Sequence, residues 1–269
     1  MTAGLPARND LHGLLGPVAE LAASAGGKIL EIAKGDLGTS RKLDKSPVTA
    51  ADVAAEDLLR EGLAKLLPGV PFIGEESVER GDIPEPGREF LLIDPLDGTR
   101  EFIAGRDEYT VNVGLVSNGV PVLGVIYTPA DRIIHAGASA RAFRVQLAPG
   151  AKFDVNATES IRARKRPPQL VAAVSRSFLE KRSEDFLATL PIESRLAYGS
   201  SVKFTFLAEG RADVYPRFAS ICEWDVAAGH ALLDAAGGRV EQLDGSAIRY
   251  GARDRKFRFD GFVAWGAPR

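Results

Sequence analysis

The sequence predicts an α+β layer joined to an α/β layer, and three observations carry that prediction. Two helix-period apolar stripes open the chain and give way to strand-length apolar runs, two of which flank Asn118-Gly119, a strong hairpin signal. From residue 170 onward strand-like and helix-like stretches alternate, the pattern of a three-layer α/β unit. Between the two, composition breaks at residues 157–168, where Arg162, Arg164, Lys165 and Arg166 precede Pro167-Pro168. The boundary is placed there, giving units of residues 1–158 and 159–269. The basic run reads as a solvated linker face rather than a patch for nucleic acid or lipid.

In chain order, a first helix is expected over residues 10–34, where Leu11, Leu14, Leu15, Val18, Leu21, Ala25, Ile29 and Ile32 recur at three and four. Gly26-Gly27 inside it costs helix stability and points to close packing rather than a break. Residues 35–47 are polar and loop-like and carry Lys42, Asp44 and Lys45. A second helix is expected over 50–67, capped by Thr49 and ended by Pro68-Gly69. Asp52 falls in its first turn, where the helix dipole favours negative charge. A short strand over 70–73 runs into Gly74-Glu75-Glu76-Ser77, and a proline- and glycine-rich surface loop occupies 81–87. Residues 89–92 form a buried strand leading into Ile93-Asp94-Pro95-Leu96-Asp97-Gly98-Thr99, with Pro95 expected to stop it and a helix expected over 99–103. Strands over 110–116, 120–127, 132–136 and 142–147 make the first sheet largely antiparallel. The second unit alternates strands at 170–174, 193–196 and 212–215 with helices near 178–190 and 201–209. A last helix over 225–236 stops at Gly237-Gly238.

Composition bounds the function. The 269 residues are 45% hydrophobic and 26% charged, ordinary globular values. A formal net charge of −2 gives no global reason to expect a nucleic acid polymer or an anionic membrane as partner. No apolar run reaches membrane-spanning length, and the first residues lack a signal-peptide pattern. The single cysteine, Cys222, suits a reducing compartment. The expectation is a soluble cytoplasmic enzyme. His12, His135 and His230 share no spacing with one another or with Cys222, so zinc is not indicated, and His230 reads as a packed or surface side chain. No nucleophile elbow, Ser-His-Asp set, P-loop or dinucleotide fingerprint is present.

Acidic residues carry the chemistry. Asp52, Glu75, Glu76, Asp94, Asp97 and Asp225 each fall at the end of an expected element. Asp94 and Asp97, with the Leu96 carbonyl between them, can converge as the all-oxygen set that a hard cation such as magnesium takes. The Gly98 and Thr99 amides open a helix beside them and offer an anion site. Separately, each feature has a plain reading: an Asx-type turn, helix N-caps at Asp52 and Asp225, solvated glutamates. Brought together, five or six negative charges in one cleft require cations.

The same stretches resemble a known family. Gly74-Glu75-Glu76-Ser77, Asp94-Pro95-Leu96-Asp97-Gly98-Thr99, and Trp224-Asp225-Val226-Ala227-Ala228-Gly229 with Gly237-Gly238 resemble the three signatures of the inositol monophosphatase superfamily. Lys45-Ser46-Pro47-Val48-Thr49 with Asp52, Gly199-Ser200-Ser201-Val202-Lys203-Phe204 and Ala212-Asp213-Val214-Tyr215-Pro216-Arg217-Phe218 are similar to its bacterial CysQ type, the 3'(2'),5'-bisphosphate nucleotidases. The resemblance implies a layered α/β/α/β/α sandwich and removal of the 3'-phosphate of adenosine 3',5'-bisphosphate, with 3'-phosphoadenylyl sulfate as a further substrate in sulfur assimilation. It implies two to three magnesium ions held by Glu75, Asp94, the Leu96 carbonyl, Asp97 and Asp225, with Asp52 near the third, and sensitivity to lithium. Gly98 and Thr99 would cradle the scissile phosphate, while Thr99 with Asp52 would orient the attacking water, with no covalent intermediate. For a second phosphate, Lys203 and Arg217 are the candidate cations on the far side of the cleft, joined by the Gly199 and Ser200 amides. Inositol or sugar monophosphates are the alternative substrates, and an idle metal- or nucleotide-binding regulator is a third reading. A homodimer and peripheral attachment to the inner face of the cell membrane stay open. One departure stands out: where the CysQ pattern reads Ser-Arg-Ser-His, this chain has Ser175-Arg176-Ser177-Phe178, so Phe178 either stacks on adenine or packs in the core.

Overall fold

In a computed structural model of the protein, the described residues are 11–35, 38, 40–41 and 47–267. The first helix, α1 (His12–Ile32), runs unbroken through Gly26-Gly27. A Cβ on Gly26 would lie 2.3 Å from the Tyr127 ring, which is the close packing the glycine pair predicts. The polar stretch expected to be loop holds two short strands, β1 (Ser40–Arg41) and β2 (Pro47–Val48), paired antiparallel. Lys42, Asp44, Lys45 and Ser46 lie outside the described residues. Next comes α2 (Ala50–Leu66), closed by a capping box in which Thr49 and Asp52 bond each other's backbone ends.

The seven-stranded sheet contains β3 (Phe72–Gly74), β4 (Glu89–Asp97), β5 (Thr110–Ser117), β6 (Val120–Thr128), β7 (Ile133–Ala138), β8 (Arg141–Gln146) and β9 (Glu159–Ser160), in that spatial order. Only β3 and β4 are parallel. Two helices of five residues, α3 (Glu75–Glu79) and α4 (Thr99–Ile103), follow β3 and β4; the first was not expected. Pro95 does not stop its strand. The ladder to β5 pairs Asp94 with Asn112 and then Asp97 with Thr110, so Pro95 and Leu96 form a bulge where no ladder N–H is needed. Asn118 and Gly119 both take positive φ, the primed turn that Asn-Gly favours.

The second sheet is built from β10 (Leu170–Ser175), β11 (Ile192–Tyr198) and β12 (Val214–Arg217) in parallel, with helices α5 (Lys181–Ala188) and α6 (Val202–Ala208) between them. After β13 (Ile221–Cys222) comes α7 (Trp224–Ala236), capped by Gly237 in the left-handed region. Then β14 (Arg239–Glu241), β15 (Arg258–Phe259) and β16 (Phe262–Trp265) complete the chain; β13 to β16 are two to four residues long and were not foreseen. β16 joins antiparallel to both β12 and β14, and β15 pairs with β13. The layers are α1 and α2, the seven-stranded sheet, α6 with α7, the five-stranded sheet, and α5 outermost. The expected α/β/α/β/α sandwich is present.

Helix α7 sits directly on the large sheet. Gly114, Gly124 and Gly137 are cross-strand neighbours on β5, β6 and β7, and together clear a channel for it. A Cβ on Gly124 would lie 2.1 Å from the Ala228 carbonyl oxygen, a backbone atom that cannot swing aside. Gly124→Ala is therefore expected to destabilise the fold by about 1–3 kcal/mol through overpacking, read as a lower urea midpoint at unchanged slope.

The four basic residues of the linker are exposed, as expected, and two of its arginines also hold partners. Arg164 donates from Nε and Nη2 to Asp213 at 2.7 and 2.6 Å, and the same carboxylate accepts the Val171 N–H at 2.7 Å. Arg166 lies over the Trp265 ring at 5.1 Å.

Candidate active site

Three elements from distant parts of the chain deliver carboxylates to one point. Asp94 ends the regular part of β4, is 1% exposed, and accepts the Leu96 N–H on Oδ1 at 3.0 Å. Glu75 opens α3, and Asp225 occupies the first turn of α7, where Oδ2 accepts the Cys222 N–H at 3.3 Å. One oxygen from each of Glu75, Asp94 and Asp225 lies within 4.8 Å of the others. Asp97 adjoins them. Burial raises its pKa and Glu75 adds to the rise, while Lys203, the Ser201 N–H and Arg217 pull it back. Burial also raises Asp225, reinforced by Asp97 and Glu75 and opposed by Arg217. A buried, all-oxygen, mutually repelling set of this kind fits a hard divalent cation, and the Leu96 carbonyl lies on the same bend.

Asp52 and Thr99 meet beside this cluster. Asp52 Oδ2 accepts both the N–H and the hydroxyl of Thr49 at 2.7 Å, which completes the helix cap. Oδ1 faces the Thr99 hydroxyl at 3.2 Å, and that hydroxyl also reaches the Leu96 carbonyl at 3.1 Å. Gly98, at φ 96°, turns the chain into α4.

The cleft around these groups holds about 400 Å³ and is lined on its second-sheet side by Gly199, Ser200, Lys203 and Arg217. Lys203 is a buried member of this lining. It is 2% exposed, its ammonium donates to the Tyr198 carbonyl at 3.1 Å and to that of Ser200, and Asp97 is its largest charge partner. Burial lowers its pKa to about 8, against the pull of Asp97. The Gly199 N–H is likewise engaged, donating to Glu108 Oε2 at 2.7 Å, so it is not a free donor for a second phosphate. Arg217 differs: it is half-buried in the cleft with Asp225 and Asp97 among its charge partners, and its Nε has no hydrogen-bond partner. Phe178 is not a core residue. It stands at the rim, 52% exposed, with the Arg100 guanidinium over its ring at 5.1 Å. His230 is packed, with Nδ1 at 3.0 Å from the Tyr250 hydroxyl.

Sequence reasoning passed over three carboxylates around the site. Glu108 takes Arg176 in an ion pair at 2.7 Å as well as the Gly199 N–H, and Glu101 accepts the Ser177 hydroxyl at 2.7 Å; these tie the α4 region to the loops of the second sheet. Glu56 is fully buried on α2. Its signal was available, because Ala51, Ala55, Leu59 and Leu63 define the inward face of that helix and Asp52 and Glu56 fall on it.

Comparison with known proteins agrees with this geometry. The profile of the inositol monophosphatase family matches residues 11–261. A protein named 3'(2'),5'-bisphosphate nucleotidase CysQ from Salmonella typhimurium is 37% identical over 243 residues, which cover 90% of this chain and 95% of the relative. The crystal structure of CysQ from Bacteroides thetaiotaomicron superposes with a TM-score of 0.79 at 33% identity, covering 94% of this chain and 97% of that one. An inositol monophosphatase from Anabaena superposes at 0.72 with 25% identity, covering 96% and 92%. Among the described residues, no helix is long and apolar enough to cross a membrane.

Proposed function

The chain belongs to the inositol monophosphatase family, and from that premise we propose that it is a magnesium-dependent 3'(2'),5'-bisphosphate nucleotidase. It would hydrolyse the 3'-phosphate of adenosine 3',5'-bisphosphate, and of 3'-phosphoadenylyl sulfate, to release inorganic phosphate. The observation that carries the reading is the convergence of Glu75, Asp94 and Asp225 within 4.8 Å, with Asp97 beside them. Glu75, Asp94, the Leu96 carbonyl, Asp97 and Asp225 would hold two to three magnesium ions, with Asp52 near the third. When bound, the cations neutralise phosphate charge and acidify water. The chain's own groups do the rest. Gly98 and Thr99 cradle the scissile phosphate, and the Asp52–Thr99 pair orients the attacking water and draws its proton toward Oδ1 of Asp52. Arg217, with a buried donor unspent, binds a substrate phosphate. Lys203, whose largest charge partner is Asp97, favours the ionised form of that carboxylate.

Phe178 supports the nucleotide side of the reading. One face of its ring is covered by Arg100, and the exposed remainder stands at the mouth of the cleft, where the base of the departing nucleotide would lie. Base stacking on an aromatic ring contributes about 1–3 kcal/mol, so Phe178→Ala is expected to raise KM for adenosine 3',5'-bisphosphate roughly 5- to 150-fold. Hydrolysis of inositol 1-phosphate should be left unchanged. The deciding assay is phosphate release from adenosine 3',5'-bisphosphate, 3'-phosphoadenylyl sulfate and inositol 1-phosphate with magnesium. A wild type that prefers inositol 1-phosphate would move the reading to a monophosphatase with the same metal chemistry.

A further inference from the structure

Glu56 is a fully buried carboxylate one helical turn after Asp52, so both point from the same face of α2 toward the active-site turns. Its contacts are specific. Oε2 accepts the Glu76 N–H at 2.8 Å, and Oε1 accepts the Ser77 hydroxyl. Arg60 and Arg80 approach Oε1 at 3.4 and 3.5 Å, and Arg60 also donates to the Ser77 hydroxyl while its guanidinium rests on the Phe72 ring at 4.3 Å. The oxygen that holds the Glu76 N–H also lies close to residue 74: a Cβ there would come within 2.4 Å of Oε2. Gly74 has ordinary extended backbone, φ −103° and ψ 148°, so it is space and not conformation that requires glycine at this point.

We infer that Glu56 is a positioning residue for the metal centre: by gripping Glu76 and Ser77, it sets where the Glu75 carboxylate meets those of Asp94 and Asp225. This rests on the metal-dependent reading above. The physical reason is leverage. Glu75 lies on a five-residue helix, too short to hold its own orientation, and Glu76 and Ser77 are the next residues along it. A charged acceptor in a buried site bonds N–H and O–H donors more strongly than a neutral one, and outer contacts of this kind typically govern metal affinity by about 10- to 100-fold.

The test is magnesium binding by calorimetry, run beside the magnesium dependence of turnover, on wild type, Glu56→Gln and Gly74→Ala. Glu56→Gln keeps shape and one acceptor while removing the charge; Gly74→Ala crowds the same carboxylate at Oε2, the oxygen that holds the Glu76 N–H. Both are expected to weaken magnesium binding by about 10- to 100-fold, and saturating magnesium should restore most of the turnover of Glu56→Gln. Variants that lose melting temperature but bind magnesium as wild type does would make Glu56 a fold-stabilising residue only and overturn the inference. Wild-type protein that binds no magnesium would overturn it together with the metal-dependent reading, whereas binding by wild type with no change in either variant overturns the inference alone.

Discussion

Asp94→Asn is expected to lower kcat/KM by about a thousandfold or more, because the cations supply several kcal/mol of transition-state stabilisation and each 1.36 kcal/mol is tenfold in rate. The substitution is mild for the fold. The asparagine side-chain oxygen can still accept the Leu96 N–H that Asp94 accepts at 3.0 Å, so the bulge is kept while one charge is lost. Stability should carry the opposite sign from activity. Metal-free Asp94→Asn relieves like-charge repulsion with Glu75 and Asp225 and should melt no lower than wild type, yet gain less on adding magnesium. The same repulsion has a pH signature. Folding raises the pKa of Asp97 and Asp225, so the native state binds more protons than the unfolded chain. The share of metal-free stability that these two carboxylates govern is therefore full below the ordinary aspartate range and falls as pH rises from there through the raised values. Magnesium should flatten that slope. Full activity of Asp94→Asn in a chelator would remove the metal centre from the account, and Asp97→Asn should behave in the same direction.

Thr99→Ala should cost turnover about 10²- to 10⁴-fold, the range for a positioned proton-transfer group, while leaving magnesium-induced stabilisation nearly intact. The reason lies in how Asp52 is divided. Oδ2 serves the Thr49 helix cap, while Oδ1 accepts the Thr99 hydroxyl. Removing that hydroxyl leaves the cap and the carboxylate cluster untouched. Melting curves with and without magnesium, set beside single-turnover rates, separate the two effects. If Thr99→Ala loses the magnesium effect as Asp94→Asn does, Thr99 belongs to the metal site and not to the water.

The long, strongly patterned elements were legible in the sequence: α1, α2, the β5–β6 hairpin and α7 all lie close to where periodicity and caps put them. Pro95 misleads because a fixed φ suggests a strand end, whereas a bulge absorbs the proline within the strand. The closing strands β13 to β16 are too short for alternation to register, and their pairing is long-range. In the site, carboxylates at element ends announced themselves one by one, but their convergence was legible only through the family resemblance, since β3 and β4 pair at Gly74 and Ile93 and Asp225 joins them from a helix far along the chain. Lys203 shows the limit from the other side. A lysine on the first turn of a helix looks available from its position, and only the fold reveals that its ammonium is buried against two carbonyls, with Asp97 as its largest charge partner. Glu56 was overlooked because a single acidic residue on an apolar face is easily read as noise.

The glycine channel beneath α7 bears on how ligands come and go. Asp225 rides on a helix whose backbone rests on β5, β6 and β7, and β5 is hydrogen-bonded to the strand that carries Asp94. The two sides of the carboxylate cage thus belong to one rigid body, and a clamshell motion that parted them would have to lift a helix off bare backbone. Passage of substrate and product then leads past the exposed rim, where Phe178 stands under the Arg100 guanidinium.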